Sequence, residues 1–183
     1  MPKRDIALDY GEVPTSIDSD SLCTPPEILN PLYELYGGMI DTDPCSNPHS
    51  IVRARQAFHE GGLVVPWSYR GRSAKGYQNH PYSTNEPWAV KFAREWKLGH
   101  LSEHVVLCMA CPSTIWWLTF MTAPVNPRVI FTKRLNFLGP DGKPLKDSAR
   151  FDTALIYYGR RRAQHRRFDA LYRHVARWST WGR

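Results

Sequence analysis

The sequence predicts an α/β fold in which helices alternate with the strands of a mostly parallel sheet, with an antiparallel hairpin at one edge. A continuous apolar run over residues 105–110 is typical of a buried parallel strand. Segment 88–98 repeats an aromatic side chain every four positions, as an amphipathic helix does. A turn signal at 140–143 separates predicted strands at 134–138 and 154–158, and these two strands give the hairpin.

Shorter patterns indicate the remaining elements. Prolines at its start and two glycines after its end predict a helix over residues 27–36, in which Pro31 favours two short pieces. Segment 50–58 fits either a helix or a strand. The other predicted elements are strands at 39–43 and 129–131, a helix at 113–121 and a polar loop at 71–78.

Length and composition limit the class of protein. The chain has 183 residues, 42% of them hydrophobic and 22% charged, which suits one compact domain. No segment approaches the roughly 18 consecutive apolar residues of a membrane span, and the first residues lack the apolar core of a secretory signal. We therefore expect a cytoplasmic protein with reduced cysteines. Cys108 and Cys111 have no second pair at comparable spacing, so no metal site is predicted.

The net charge of +7 is concentrated at the end of the chain. Residues 160–183 contain eight arginines and one acid, Asp169, whereas residues 1–159 contain 16 basic and 16 acidic residues. Segment 162–178 has apolar residues at helical spacing, and we expect it to form a helix with one face on the body of the protein. The residues predicted to bind a phosphate backbone on another face are Arg162, Arg166, Arg173 and Arg177. A solvated, solubilising tail is the alternative interpretation.

The most informative motif consists of the consecutive residues Asn79, His80, Pro81 and Tyr82. The Asn79 side-chain oxygen and the main-chain carbonyl of His80 can accept two hydrogen bonds from one exocyclic amine. Such bonds draw the nitrogen lone pair out of conjugation with an attached ring. Pro81 stiffens the turn, and Tyr82 offers an aromatic face for stacking. The motif therefore fits a planar substrate that carries an amino group.

This motif resembles the Asn-Pro-Pro-Tyr motif of amino-group methyltransferases that use S-adenosylmethionine. Other pieces occur in the order of the phage-type DNA N6-adenine methyltransferase family: Thr24-Pro25, Asp43-Pro44-Cys45-Ser46, Gly62-Leu63 with Trp67, the apolar run ending at Pro112, Trp116-Trp117 and Arg134-Leu135-Asn136-Phe137. The resemblance covers about residues 22–158. It implies a Rossmann-like methyltransferase fold, S-adenosylmethionine as cofactor and double-stranded DNA as partner.

The resemblance also implies roles for individual residues and regions. Asn79, the carbonyl of His80 within the His80-Pro81 turn, and Tyr82 would bind the target adenine and activate its N6 atom. The residues implied to contact the cofactor are Thr24, Pro25, Asp43, Pro44, Cys45, Ser46, Glu60 and Leu63. The resemblance makes residues 22–159 the methyltransferase domain. Composition and charge predict a flexible acidic leader at residues 1–21 and a basic C-terminal helix or tail at residues 160–183.

Two features depart from the family pattern. His80 stands where the family usually has proline, and no glycine-rich turn follows the first predicted strand. Within enzymes, the alternative is a methyltransferase that acts on RNA or on a protein glutamine amide. Outside enzymes, the alternative is a non-catalytic nucleic-acid-binding protein that retains a relic of the motif.

Overall fold

A computed structural model describes residues 19–122, 127–146, 149 and 151–179 of the chain. Four helices and seven strands form within these residues. The helices are α1 (Pro26–Tyr36), α2 (Asn85–Lys97), α3 (Ile115–Met121) and α4 (Arg162–Tyr172). The strands are β1 (Ile40–Asp43), β2 (Ala54–Ala57), β3 (Ala74–Gln78), β4 (Leu101–Met109), β5 (Arg128–Thr132), β6 (Thr153–Gly159) and β7 (Ala176–Ser179). Residues 1–18, which make up most of the predicted leader, lie outside the described residues.

The strands form one mixed sheet in the order β2-β1-β3-β4-β6-β5-β7. The pairings among β2, β1, β3 and β4 are parallel, whereas β6 is antiparallel to both its neighbours and β7 is antiparallel to β5. The predicted α/β class is confirmed, with a sheet that is parallel through one half. Below, the side on which β1, β3 and β4 finish is called the carboxyl end of the sheet, and the opposite side is its amino end.

Helices cover both faces of this sheet. On one face α1 and α4 bury Leu32 and Phe168, and on the other α2 and α3 form a second layer around Phe92. Val105 and Val106 are consecutive on β4, and each is fully buried in a different layer. Successive side chains of a strand point to opposite faces, so the continuous apolar run of β4 is what a strand with two covered faces requires.

Helix α1 is continuous through Pro31, although the sequence favoured two short pieces. Pro31 has no N–H to donate to the carbonyl of Glu27, and that carbonyl lies 3.3 Å from Nε2 of His174 instead. The helix ends at Gly37, whose φ of 83° is the left-handed conformation that glycine adopts without strain. Tertiary packing thus supplies the contact that the proline removes.

The predicted polar loop at 71–78 is wrong, because residues 74–78 form the buried central strand β3. Gly76, which looked like a loop glycine, pairs with His104 on β4. A Cβ atom at Gly76 would lie 2.3 Å from Nδ1 of His104. The glycine therefore makes room for a large side chain on the neighbouring strand, and it does not mark a turn.

The antiparallel strands also depart from the prediction. Residues 134–138 form no strand; they leave the sheet, and Leu138 makes isolated bridges to Cys23 and Pro144. Strand β6 lies inside the sheet, between β4 and β5. The antiparallel pair of β5 and β6 is therefore not a hairpin at the edge of the sheet. The ambiguous segment 50–58 contains β2, which is the edge strand beside β1.

The predicted helix over 162–178 is too long. Helix α4 ends at Tyr172, and residues 176–179 form β7, the edge strand beside β5. Tyr172 is fully buried and its hydroxyl donates to the carbonyl of Ile28 on α1. The backbone after α4 finds its hydrogen bonds in the sheet, so the chain stays part of the folded body at least as far as residue 179.

A buried charged group ties the loop before β3 to α2. Glu95 is 1% exposed, and its carboxylate accepts hydrogen bonds from the backbone N–H of Trp67 at 2.8 Å and pairs with Lys91 Nζ at 2.8 Å. His100 Nδ1 lies 2.6 Å from the same carboxylate. Burial alone would raise the pKa of Glu95, but the bonds from Lys91, Trp67 and His100 outweigh it and hold the pKa below its ordinary value.

We expect Glu95→Gln to lower the free energy of unfolding by about 3 kcal/mol at pH 7, because it leaves the buried ammonium of Lys91 without its partner. Urea unfolding of the variant and the wild type measures this difference. A carboxylate with a lowered pKa stabilises the fold above its unfolded pKa, so the difference should shrink as the pH falls below about 4. Glu86→Gln, on the exposed side of the same helix, is the control. Equal stabilities of Glu95→Gln and wild type at pH 7 would contradict this account.

Candidate functional site

The parallel half of the sheet creates a crevice at its carboxyl end. From β1 the chain passes to β2 on one side, whereas β3 pairs with β1 on the other side. The segments that leave β1 and β3 therefore diverge, and in open α/β sheets ligands bind in the crevice that such a switch of direction opens. Asp43 is the last residue of β1, and Asn79 directly follows β3.

The side chain of Asn79 is held at both of its polar atoms. Its Nδ2 donates to Oγ1 of Thr24 at 3.2 Å, and its Oδ1 accepts from the hydroxyl of Tyr82 at 3.1 Å. Thr24 is buried and also lies 2.8 Å from the hydroxyl of Tyr77 on β3. These contacts fix which way the amide points and bring the predicted residues Thr24, Asn79 and Tyr82 together.

The ring of Tyr82 contacts three aromatic rings edge-to-face, those of His80, Phe137 and Phe151. Its centroid lies 6.3 Å from that of Phe137 and 5.2 Å from that of Phe151, both in edge-to-face geometry. Both phenylalanines come from the long connection between β5 and β6. That connection therefore borders the motif, which is the placement that would let it meet a substrate bound there.

His80 is 2% exposed, and its imidazole belongs to a hydrogen-bond chain that crosses the core. Nε2 of His104 lies 3.3 Å from Oε1 of Gln78, and Nε2 of Gln78 lies 2.9 Å from Nδ1 of His80. Nε2 of His80 lies 2.9 Å from Oδ1 of Asn85, whose Nδ2 donates to the carbonyl of Tyr82. Every link has one donor and one acceptor when both imidazoles are neutral.

Burial keeps these imidazoles neutral. It lowers the pKa of His80 to about 4, against a smaller opposing effect of the Asn85 hydrogen bond. It lowers the pKa of His104 to about 3, with a further contribution from His80. At neutral pH, His80 is therefore uncharged, and it anchors the loop. It stands at the position where the family that the motif resembles usually has proline.

Asp43 is a buried acid at the mouth of the crevice. Its side chain is 2% exposed, and it accepts a hydrogen bond from the backbone N–H of Cys45 at 3.3 Å. Burial raises the pKa of Asp43 from 3.8 to about 7, although the bonds from Cys45 and Ser46 counteract part of the rise. No basic side chain among the described residues forms an ion pair with it. The site thus contains a carboxylate that a bound cation would stabilise.

Two adjacent cavities open at this end of the sheet. The smaller measures about 10 Å³, and the predicted residues in its wall are Thr24, Asp43, Cys45, Ser46 and Asn79. The larger measures about 340 Å³, and the predicted residues in its wall are Pro44, Cys45, Ser46, Glu60, Leu63 and Pro81. Cys45 and Ser46 line both cavities, so the two cavities lie side by side along the segment after β1. Pro25, His80 and Tyr82 line neither cavity.

The wall of the larger cavity depends on a close backbone contact. A Cβ atom at Gly62 would lie 1.7 Å from the carbonyl oxygen of Pro44, so only glycine lets these two segments meet. The fully buried indole of Trp67 donates to the carbonyl of Gly62 at 2.7 Å. The sequence has no glycine directly after β1, but a glycine from the following loop provides close backbone packing at that point.

Several residues that shape the site were not assigned roles from the sequence. Tyr77 orients Thr24, Gln78 joins the two histidines, and Phe58 and Trp88 supply apolar surface to the larger cavity. Tyr77 and Gln78 were hidden because their segment was predicted to be a loop. The end of β2 offered a usable signal, since Phe58 and Glu60 follow a strand whose carboxyl end meets that of β1.

The predicted DNA-binding arginines do not share one surface. Strand β6 finishes at the amino end of the sheet, where Gly159 pairs with Glu103, so α4 begins there with Arg162 and continues through Arg166. Arg173 follows α4, and Arg177 lies on β7, which begins beside the carboxyl end of β5. Only Arg173 and Arg177 therefore lie towards the end of the sheet that carries the crevice.

In the described part of the chain, no group of three or more side chains is arranged to hold a metal ion. No helix found there has the length and apolar character needed to cross a membrane. Comparison of the chain with protein-family models and with curated proteins gives no match.

We expect Asp43→Asn to stabilise the folded protein at high pH. A buried acid with a raised pKa must be ionised at a cost in folding free energy as the pH rises from about 4 to above 7, and asparagine avoids that cost. The gain should be about 4 kcal/mol at pH 8 and should approach zero near pH 4, as measured by urea unfolding. Asp141→Asn, at an exposed position, is the control. A gain that does not depend on pH would show that Asp43 ionises without penalty.

Proposed function

We propose that this protein is a DNA N6-adenine methyltransferase that uses S-adenosylmethionine. The observation that carries the proposal is the meeting of the Asn79 motif with Asp43 and Thr24 beside two adjacent cavities. These three segments are far apart in the sequence. Their convergence is what the resemblance requires of a site in which one part binds a cofactor and the other presents an amine.

The residues of the crevice fit S-adenosylmethionine. Asp43 has no cationic partner among the described residues, and the ammonium group of a methionyl moiety would supply one. The larger cavity combines apolar surface from Phe58, Leu63 and Trp88 with the carboxylate of Glu60, a composition that suits a nucleoside. When bound, S-adenosylmethionine supplies an electrophilic methyl group.

The motif residues would bind and orient the substrate amine. Oδ1 of Asn79 and the carbonyl of His80 would each accept one N–H of the adenine amino group, which leaves the nitrogen lone pair available as a nucleophile. N6 is paired and stacked in a duplex, so the base must leave the helix to reach these groups. Most of the rate acceleration would then come from orientation, and no general base is assigned.

His80 would support this role through its imidazole as well as its carbonyl. The chain from His104 through Gln78 to His80 holds the loop against the core, so the carbonyl of His80 has a defined position. Proline would restrict the same loop by fixing its backbone dihedral. The substitution therefore exchanges one source of rigidity for another, and an uncharged imidazole adds no repulsion or attraction near the amine.

DNA would approach the carboxyl end of the sheet. The exposed basic residues on the described segments of this end are Lys133, Arg134, Lys143, Lys146, Arg173 and Arg177. They come from the connection between β5 and β6 and from the segment after α4, so they flank the aromatic pair around Tyr82. Such contacts give affinity for the phosphate backbone without selecting a sequence.

We expect Asn79→Ala to reduce methyl transfer to DNA by at least 100-fold, since it removes an acceptor that orients the reacting amine. The measurement is transfer of label from radioactive S-adenosylmethionine to unmethylated DNA, followed by nucleoside analysis for N6-methyladenine. Asn30→Ala, at an exposed position on α1, is the matched control and should retain full activity. Activity of Asn79→Ala within about threefold of the control would exclude the proposed role.

The same experiment separates the other functions. Absence of label in DNA together with a rise in melting temperature on adding S-adenosylmethionine would indicate RNA or protein as the substrate. Absence of both would favour a binding protein without activity.

We expect the ring and the hydroxyl of Tyr82 to contribute separately. Tyr82→Phe keeps the stacking surface but loses the hydrogen bond to Oδ1 of Asn79, and a loss of about 1 kcal/mol corresponds to roughly fivefold in kcat. Tyr82→Ala removes both and should lose roughly 30- to 900-fold, because base stacking adds about 1–3 kcal/mol. Steady-state kinetics of the two variants tests this. Equal losses would mean that stacking is unimportant.

A further inference from the structure

The amino end of the sheet carries an exposed basic surface that the proposed function does not use. It consists of Arg70, Arg72, Lys97, Arg160, Arg161 and Arg162, all of which are exposed. We call these six residues the amino-end basic surface. Most of the arginines that open the basic segment therefore lie on the side of the sheet opposite the crevice.

Neighbouring strands bring these residues together. Arg70 and Arg72 precede β3, and Lys97 ends α2 just before β4. The two turns touch, since Oγ of Ser73 donates to the carbonyl of Gly99 at 2.5 Å and Ala74 pairs with Leu101. Next in the sheet, β6 finishes where Gly159 pairs with Glu103. Residues 160–162 follow directly, so the six cations lie along the ends of three adjacent strands.

The acids near this surface are already engaged. Glu103 accepts a hydrogen bond from the hydroxyl of Tyr157 at 2.6 Å, and Glu95 is buried against Lys91 and His100. Within the described residues, none of the six cations lies within 4.0 Å of a carboxylate. Among the described residues, the six cations therefore outnumber the nearby acids, and the local charge is positive.

Helix α4 increases this positive potential. Its first turn contains no acid, and Arg160, Arg161 and Arg162 surround the end of the helix where the backbone dipole is positive. Three arginines at this end are unfavourable for the isolated helix, because like charges repel. A polyanion would relieve the repulsion, since its phosphates attract both the guanidinium groups and the helix end.

We propose that the amino-end basic surface binds the phosphate backbone of a second nucleic-acid duplex, so that one molecule of the protein bridges two duplex segments. Strand β4 alone extends about 26 Å between the two ends of the sheet. A straight duplex docked over the crevice leaves the amino end exposed. Six cations on one side of the molecule match the dense row of charges on a duplex, which carries one phosphate per about 1.7 Å of its axis.

The test compares two sets of charge-neutralising substitutions. The first variant is Arg160→Gln, Arg161→Gln and Arg162→Gln together, and the matched control is Lys143→Gln, Lys146→Gln and Arg173→Gln at the carboxyl end. Short DNA duplexes labelled with a donor or an acceptor fluorophore are mixed with each protein. Energy transfer between duplexes reports bridging, and a titration of the donor duplex alone reports binding at increasing salt.

The wild type should give energy transfer between the two duplexes, and the first variant should lose it while still binding one duplex. Each lost phosphate contact lowers the salt slope of binding by about 0.9, so three substitutions should lower the slope of binding to this surface by about 2 to 3. Undiminished energy transfer in the first variant would overturn the proposal. A bridge formed by two copies of the protein would give that result, so the test also covers this case. Loss of bridging in the control is expected, since both surfaces are needed.

Neither assay contains S-adenosylmethionine, so the bridging result does not depend on the proposed methyl transfer. Bridging without methylation would refute the proposed function alone, and methylation without bridging would refute this inference alone.

Discussion

The hydrogen-bond chain from His104 through Gln78, His80 and Asn85 to the carbonyl of Tyr82 is the constraint on which the candidate site depends. It begins on the central strand β4 and ends in the loop that follows β3. Each link uses one donor and one acceptor. Nδ1 of His80 must accept from Gln78, so the chain holds only while His80 stays neutral, and burial ensures that it does. The loop that presents Asn79 is thereby joined to the rigid core.

The opposite wall of the crevice is under a different kind of constraint. Asp43 is buried without a cationic partner among the described residues, and burial raises its pKa to about 7. A carboxyl group in such a place lowers the stability of the folded protein when it ionises. This is the pattern of a site arranged for a ligand, because a bound cation would reverse the cost.

The amino-end basic surface and the candidate site lie at opposite ends of the sheet. The crevice lies at the carboxyl end of the sheet, where acidic and basic side chains are mixed. Much of the positive excess lies at the amino end, because β6 runs antiparallel to β4 and delivers the start of the basic segment there. The direction of one strand therefore decides on which side of the protein the basic surface lies, and the total charge carries no such information.

The sequence by itself determined part of the local structure, and it predicted a chemistry for the motif. The apolar run of β4, the aromatic repeat of α2 and the turn residues after α1 express short-range physics, so their positions follow from periodicity. Asn79 could be named because its amide suits a planar amine, whereas Asp43 and Thr24 were named through the resemblance alone. Tertiary structure decided the rest, since a glycine such as Gly76 has the same local preference in a loop as beside a histidine on a neighbouring strand. The convergence of segments, the pKa of Asp43 and the side on which the arginines lie all depend on pairings between residues distant in the chain, which no local pattern encodes.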